Sequence, residues 1–319
     1  MRKLSVFFLA AFMAFTAWAQ GDAAAYPVRP VKITVGFAPG GATDLIARHY
    51  AKRLQDKLGQ PFLVENKPGK GGVVAVMSAL NAPADGYTII MGTTGMAVDT
   101  ALGETPYNWE RDLAPIGLLG SAMNVLVVGE SSPLRSLGDV LAEAKKRRMT
   151  FGSAGVSSSM HMTGELFKGV TGLDLAHVPY RGAVAAEQAL LAGEVDLLFD
   201  NIAGAMTFIQ AGKFRPIAVS SGTRHAELPQ VPTFHEAGLR GFDSTSAFFL
   251  MAPAKAPARA LQQLEAAVLA ISKEEETSIF LRKLHLVPLA GDGKALRSHM
   301  IDDVAKWKKI VSAESFKRP

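Results

Sequence analysis

Gly36-Phe37-Ala38-Pro39-Gly40-Gly41-Ala42-Thr43-Asp44 is the stretch whose residue types best suit ligand chemistry. It follows Val31-Lys32-Ile33-Thr34-Val35, a strand-like run, and precedes Ile46, Tyr50, Leu54 and Leu58, which recur at helical i, i+4 spacing. Glycine permits positive φ and close approach by a ligand. The first N–H groups of a helix lack partners within it and sit at the positive end of its dipole. Strand, glycine turn and helix start can together seat a carboxylate or another anion. An ordinary turn in which Thr43 or Asp44 caps the helix fits the same residues.

A second stretch of the same physical type, Ser153-Ala154-Gly155-Val156-Ser157-Ser158-Ser159-Met160-His161, again joins a strand to a helix start. A nucleophile elbow would need glycine at position 151, where Phe151 stands. His161 could act as a base, but a lone histidine at a helix start also caps or packs. Tyr180-Arg181 could grip a carboxylate bidentately through the guanidinium, or Arg181 could form a surface ion pair. Gly69-Lys70-Gly71-Gly72 matches neither phosphate-loop nor dinucleotide spacing. The seven histidines include no H-E-x-x-H and no i, i+4 pair, so neither a metal nor any other cofactor is expected. Asp44, Glu187 and Asp200 are acidic candidates that no motif draws together. These residues favour binding over catalysis. The enzymatic rival is a hydrolase with Ser153 or Ser158 as nucleophile and His161 as base.

The elements that must position these loops alternate. Phe62-Leu63-Val64-Glu65-Asn66, a helix reaching Leu80, and Tyr87-Thr88-Ile89-Ile90-Met91 continue a βαβαβ order up to Gly92-Thr93-Thr94-Gly95. That order predicts an α/β fold with a largely parallel sheet, whose ligands sit beyond the carboxyl ends of the strands. After Trp109 a second unit begins, with strands at 124–128, 150–152, 177–180, 195–199 and 214–220. A continuous apolar run at 247–252 brings the chain back. Two C-terminal helices carry the stripes Leu261, Leu264, Val268, Ile271 and Leu296, Met300, Val304, Trp307, Val311.

At 319 residues, 48% hydrophobic and 20% charged, the chain is globular and long enough for two domains. Its net charge of +5 is too small and dispersed for a nucleic-acid footprint. The absence of cysteine excludes disulfides and a lipoprotein anchor. Arg2-Lys3, an apolar run over 4–18 and Ala17-Trp18-Ala19 form a secretory signal (residues 1–19) with cleavage after Ala19. The expected location is the periplasm.

Several fragments in order resemble the substrate-binding proteins of tripartite tricarboxylate transporters, also called Bug receptors. They are Tyr26-Pro27-Val28-Arg29-Pro30, the turn at 37–44, Val64-Glu65-Asn66-Lys67-Pro68-Gly69, Asp85-Gly86-Tyr87-Thr88, His177-Val178-Pro179-Tyr180-Arg181-Gly182, Phe199-Asp200-Asn201 and Leu228-Pro229-Gln230-Val231-Pro232-Thr233. The resemblance covers nearly the whole chain after the leader. It implies a two-lobed, type II-like binding protein that closes like a Venus flytrap, each lobe a mostly parallel sheet flanked by helices. One lobe would comprise 26–122 plus 247–319, the other 123–246. It further implies a monomer that grips a small carboxylate, partly through backbone groups and water, and works with membrane transporter subunits. A sensor for a signalling system is the remaining alternative. The ligand-binding candidates are Phe37, Pro39, Gly40, Gly41, Ala42, Thr43, Asp44, Thr93, Thr94, Ser153, Gly155, Ser157, Ser158, His161, Tyr180, Arg181, Asp200 and Asn201. Ser157, Met160, Ala189, Ala247 and Phe249 depart from the family pattern, which suggests specificity for a bulkier or aromatic acid.

Overall fold

A computed structural model describes residues 26–103, 105–156, 158–180 and 182–312. The secretory signal and the candidate residues Ser157 and Arg181 lie outside them. The chain begins with β1 (Val31–Val35), α1 (Ala42–Leu58), β2 (Phe62–Asn66), a 3₁₀ turn (Lys70–Gly72), α2 (Val73–Leu80) and β3 (Thr88–Thr93). Then come α3 (Gly95–Leu102), α4 (Trp109–Asp112) and the long β4 (Leu113–Gly129). A second alternation follows: α5 (Leu137–Lys146), β5 (Met149–Ser153), α6 (Ser159–Thr171), β6 (Leu175–Pro179), α7 (Ala183–Ala192), β7 (Leu197–Asn201), α8 (Ile202–Gln210) and β8 (Phe214–Val219). The chain returns through β9 (Thr245–Pro253) and finishes with α9 (Ala258–Ser272), α10 (Glu275–Lys283), β10 (Val287–Gly291) and α11 (Gly293–Val311).

Two sheets result. In the first, β1 lies parallel between β2 and β3, with Ile33 opposite both Val64 and Ile89. β9 pairs antiparallel to β3, β4 antiparallel to β9, and β10 antiparallel to β4. In the second, β5 lies parallel to β6 and β7, while β4 runs antiparallel to β7 and β8. Both sheets are therefore mixed, where a mostly parallel arrangement was expected. Parallel strands need a crossover connection, which the βαβ units supply, but β4 and β9 carry the chain between the sheets and run against their neighbours. β4 belongs to both: residues 113–123 pair with β9 and residues 124–129 with β7 and β8.

Each sheet is covered on both faces, so its central strands are apolar throughout rather than alternating. On the first sheet, Ile46, Tyr50 and Leu54 of α1 share a cluster with Leu264, Val268 and Ile271 of α9. The opposite face packs against Leu296, Met300, Val304 and Trp307 of α11, the predicted stripe. Phe151, Phe167, Phe199 and Phe234 form one core of the second sheet, and Leu198, Ile202, Met206 and Val219 the other. Met162 of α6 packs into the Trp307 cluster, joining the two halves.

Where β4 changes sheets, a buried polar knot holds the crossing. The Asn124 N–H donates to Ser220 Oγ at 2.9 Å, and the Ser220 hydroxyl donates to the Ser244 carbonyl at 2.9 Å. Asn124 Nδ2 donates to the Ser159 carbonyl at 3.0 Å and to Thr163 Oγ1. Thr163 Oγ1 meets Ser244 Oγ at 2.7 Å. Polar groups this deep stay only when paired.

Six elements escape the sequence patterns: residues 113–123 of β4, β10, the helices α3, α4 and α8, and α10, which makes a third C-terminal helix. The first contains Pro115, Gly117 and Gly120, and its register shifts at these residues. Proline and glycine mark bulges and edges in a strand.

Candidate functional site

The β-ladder register decides where the loops lie. Thr93, the last residue of β3, is opposite Phe248, which is opposite Gly120 on β4. Asn201, the last residue of β7, is opposite Asn124. The carboxyl ends of the parallel strands in both sheets thus meet residues 120–124 from opposite sides. The loops after β3 and β7 flank the crossing, and those after β1, β2, β5 and β6 continue the same strand-end edges outward.

On the first sheet, the turn after β1 is tied down by Asp44. Its carboxylate accepts from the Gly40 N–H at 3.0 Å, Arg48 Nε at 2.9 Å and Asn66 Nδ2 at 2.9 Å. Burial alone would raise the pKa of Asp44; bonds from Arg48, Gly40 and Asn66 outweigh it and hold the group below the usual carboxylate range. Asn66 Nδ2 also donates to the Phe37 carbonyl at 3.0 Å. Asp44 is 2% exposed and faces its own loop rather than outward. What the turn presents is backbone: Pro39, Gly40 and Gly41 are exposed, and α1 starts at Gly41 with no side chain capping its first N–H groups. Gly40 takes φ +91°, open to glycine at little cost. Phe37, 37% exposed, stands at the rim.

The loop after β2, which sequence reasoning did not include, completes this edge. A Cβ on Gly36 would fall 2.3 Å from Gly72 Cα, so the two backbones touch. A Cβ on Gly95 would meet the Gly71 carbonyl at 3.7 Å and Thr93 Oγ1 at 3.3 Å. Its place after the second parallel strand was the available signal. Thr94 turns inward: its hydroxyl donates to Asp303 Oδ2 at 3.1 Å and accepts from the Ala247 N–H at 2.9 Å. It joins β3, β9 and α11, where the sequence suggested a ligand contact.

On the second sheet, the three loops are likewise laced together. The Tyr180 N–H donates to the Ser153 carbonyl at 2.9 Å, the Gly182 N–H to the Ala154 carbonyl at 3.3 Å, and Ser159 Oγ to Asn201 Oδ1 at 3.0 Å. Ser158 caps α6, accepting from the His161 N–H at 3.2 Å while donating to the Gly155 carbonyl at 2.7 Å. α7 and α8, by contrast, begin at Gly182 and Asn201 without a side-chain cap. The Tyr180 hydroxyl is directed to Glu194.

A serine–histidine contact exists, but not the one the sequence suggested. Ser153 Oγ lies 2.6 Å from His177 Nε2 and also contacts the Gly155 backbone. Ser153 is fully buried, so no substrate can reach its hydroxyl. His161, the proposed base, stacks on His177 at 4.0 Å and lies 3.8 Å from Glu165, whose carboxylate accepts from Lys168 Nζ. Burial, then His177 and Lys168, push His161 down to about 3; burial and Lys168 push His177 down to about 4. Both rings are neutral supports under α6. Asp200 is fully buried and faces Glu187; burial and the neighbouring carboxyl raise it well above the carboxylate range. Gly204 leaves room for the pair, since a Cβ there would sit 2.5 Å from Glu187 Oε1 and 3.7 Å from Asp200 Oδ2.

The described departures from the family pattern are core positions. Met160, Ala189, Ala247 and Phe249 are buried, and the Phe249 ring occupies the space beside Gly92. They can reach a guest only through packing, which removes the direct argument for an aromatic acid.

Comparison with known proteins identifies the family. Residues 46–316 match the model of the tripartite tricarboxylate transporter family receptor. The chain belongs to that family. This receptor is 30% identical to the protein BugT of Bordetella pertussis, over 90% of its own length and 89% of BugT. Rpa4515 of R. palustris, solved with adipate, superposes with a TM-score of 0.81 at 32% identity, covering 90% of this receptor and 97% of that chain. MatC of Rhodopseudomonas palustris, solved with malate, gives 0.80 at 28% identity, covering 90% and 100%. The family is one of solute receptors, not enzymes.

Proposed function

We propose that this receptor captures a small carboxylate in the periplasm, between the two sets of loops that meet at residues 120–124, and delivers it to membrane transporter subunits. The observation carrying this reading is the register that brings the strand ends of both sheets to one stretch of β4, with an uncapped helix start on each side. Backbone amides of the Pro39-Gly40-Gly41 turn would hold one carboxylate oxygen. Thr93, Gly155 and the starts of α7 and α8 would face the rest of the guest. Asp44, Thr94, Ser153, Ser158 and His161 serve as supports. We take the lobes as 26–122 plus 247–319 against 123–246, a division close to where β4 changes partners after Met123, and the protein as a monomer that works without nucleic acid. No described helix is long and apolar enough to cross a membrane.

Adipate and malate, the guests of the two similar structures, suggest short dicarboxylates as the first probes. Micromolar affinity amounts to about −8 kcal/mol, within reach of several charge-assisted backbone bonds. A ligand at ~100-fold excess over Kd should add roughly 2.7 kcal/mol to stability. A thermal-shift screen of dicarboxylates, aromatic acids and their amides tests the reading. At least one acid should raise the midpoint while its amide does not. Gly41→Val should remove that rise and leave the ligand-free midpoint within a degree or so, because a Cβ at 41 meets nothing within 4 Å. An undiminished rise in the variant would refute the assignment of the turn.

A further inference from the structure

Away from these loops, three side chains of metal-binding type converge from different halves of the molecule. His225 and Glu227 lie after β8 and are anchored to the second sheet by Leu228 and Val231. His285 lies between α10 and β10 and is anchored to the first sheet by Leu284 and Leu286. One donor atom from each falls within 4.8 Å of the others. His285 Nδ1 stands 2.7 Å from Glu227 Oε1, and the two imidazole centroids are 6.0 Å apart.

The backbone holds this convergence in place. His285 takes φ +55°, a conformation uncommon for a residue other than glycine. Its N–H donates to the Arg282 carbonyl at 2.9 Å, and the next N–H, of Leu286, to the Leu281 carbonyl at 3.0 Å. His225 is 8% exposed, and its Nδ1 accepts from the Glu227 N–H at 3.3 Å, a long bond that a metal ion would displace.

We propose that His225, Glu227 and His285 bind a divalent transition-metal ion of the zinc class and that the ion links the two halves of the receptor. Two imidazoles and a carboxylate suit zinc, which takes nitrogen and oxygen donors at about 2.0–2.2 Å. Calcium and magnesium prefer oxygen alone. Three protein donors leave a fourth position for water. The location gives the ion mechanical leverage. Val287, two residues beyond His285, pairs with Ser121 of β4, and the Ser221 hydroxyl contacts Met123 Sδ at 3.3 Å. A metal held from both sides would therefore fix the angle between the sheets beside the crossing.

The test uses untagged, chelator-treated protein titrated with zinc chloride and, in parallel, magnesium chloride. Calorimetry should show one zinc ion per chain, accompanied by a rise in melting midpoint, and no response to magnesium. Glu227→Gln, His285→Asn and His225→Gln are compared after each is shown to melt cooperatively in chelator. Asparagine is chosen because it tolerates the left-handed backbone, and Glu227→Gln keeps a hydrogen bond to His285 should the histidine variants misfold. Each folded variant should weaken zinc binding at least tenfold. Absence of saturable binding in the wild type, or variants within twofold of it, would overturn the site and leave Glu227–His285 a simple hydrogen bond.

Discussion

On the proposed function, Asp44 supports the binding turn without touching the guest. Both its oxygens are taken by Gly40, Arg48 and Asn66, so it shapes the amide turn from behind. Asp44→Ala should cost about 1–3 kcal/mol of unfolding free energy, the range for orphaning buried hydrogen-bond partners. It should weaken carboxylate affinity at least tenfold as the turn loosens. Denaturant titration and calorimetry on one preparation separate these effects. The residue types of this loop were legible in the sequence, because glycine and a strand-to-helix switch act locally. The direction of each side chain was not. Asn66 lies 22 residues from Asp44, and Asp303 lies 209 from Thr94. No local pattern announces such partners, so Asp44, Thr94 and His161 read as ligand contacts when their atoms are committed inward.

Among the elements, β4 carries the most consequence and was the least legible. Its second half, Asn124-Val125-Leu126-Val127-Val128, reads as a strand, whereas the first half is broken by Pro115, Gly117 and Gly120. Those residues mark the bulges that let the strand bend into a second sheet. By contrast, the βαβ repeats and the stripe on α11 were plain, since periodicity alone encodes them. At the crossing, Asn124 ties β4 to α6 through Ser159 and Thr163. Asn124→Ala removes these bonds, and the Ser159 carbonyl keeps only the Thr163 hydroxyl as a side-chain donor. An expected loss of about 1–3 kcal/mol follows, together with a broader distribution of angles between the sheets. Small-angle scattering of the ligand-free variant, showing a larger radius of gyration than the wild type, checks the second part.

For the molecule as a whole, two buried groups set opposite limits on pH. His161 and His177 stay neutral in the native state and gain protons on unfolding, so stability falls as pH drops from about 6.5 towards their folded values near 3 and 4. His161→Phe, which keeps the stack on His177, should flatten that acid limb in melting curves taken across pH 4–7. The Glu187–Asp200 pair behaves in the reverse sense. Its folded values are raised, so its contribution is fullest below the ordinary carboxylate range and declines as pH rises through the folded values. Asp200→Asn should raise the midpoint more at pH 8 than at pH 5; an equal change at both would contradict a shared buried proton. The return of β9 has another consequence, for synthesis. Because β9 enters between β3 and β4, the first sheet has a gap at its centre until residue 253 has been made. A nascent chain must keep the rim of β3 unpaired while the intervening half is already able to fold, and that exposed rim is where a chaperone would be needed.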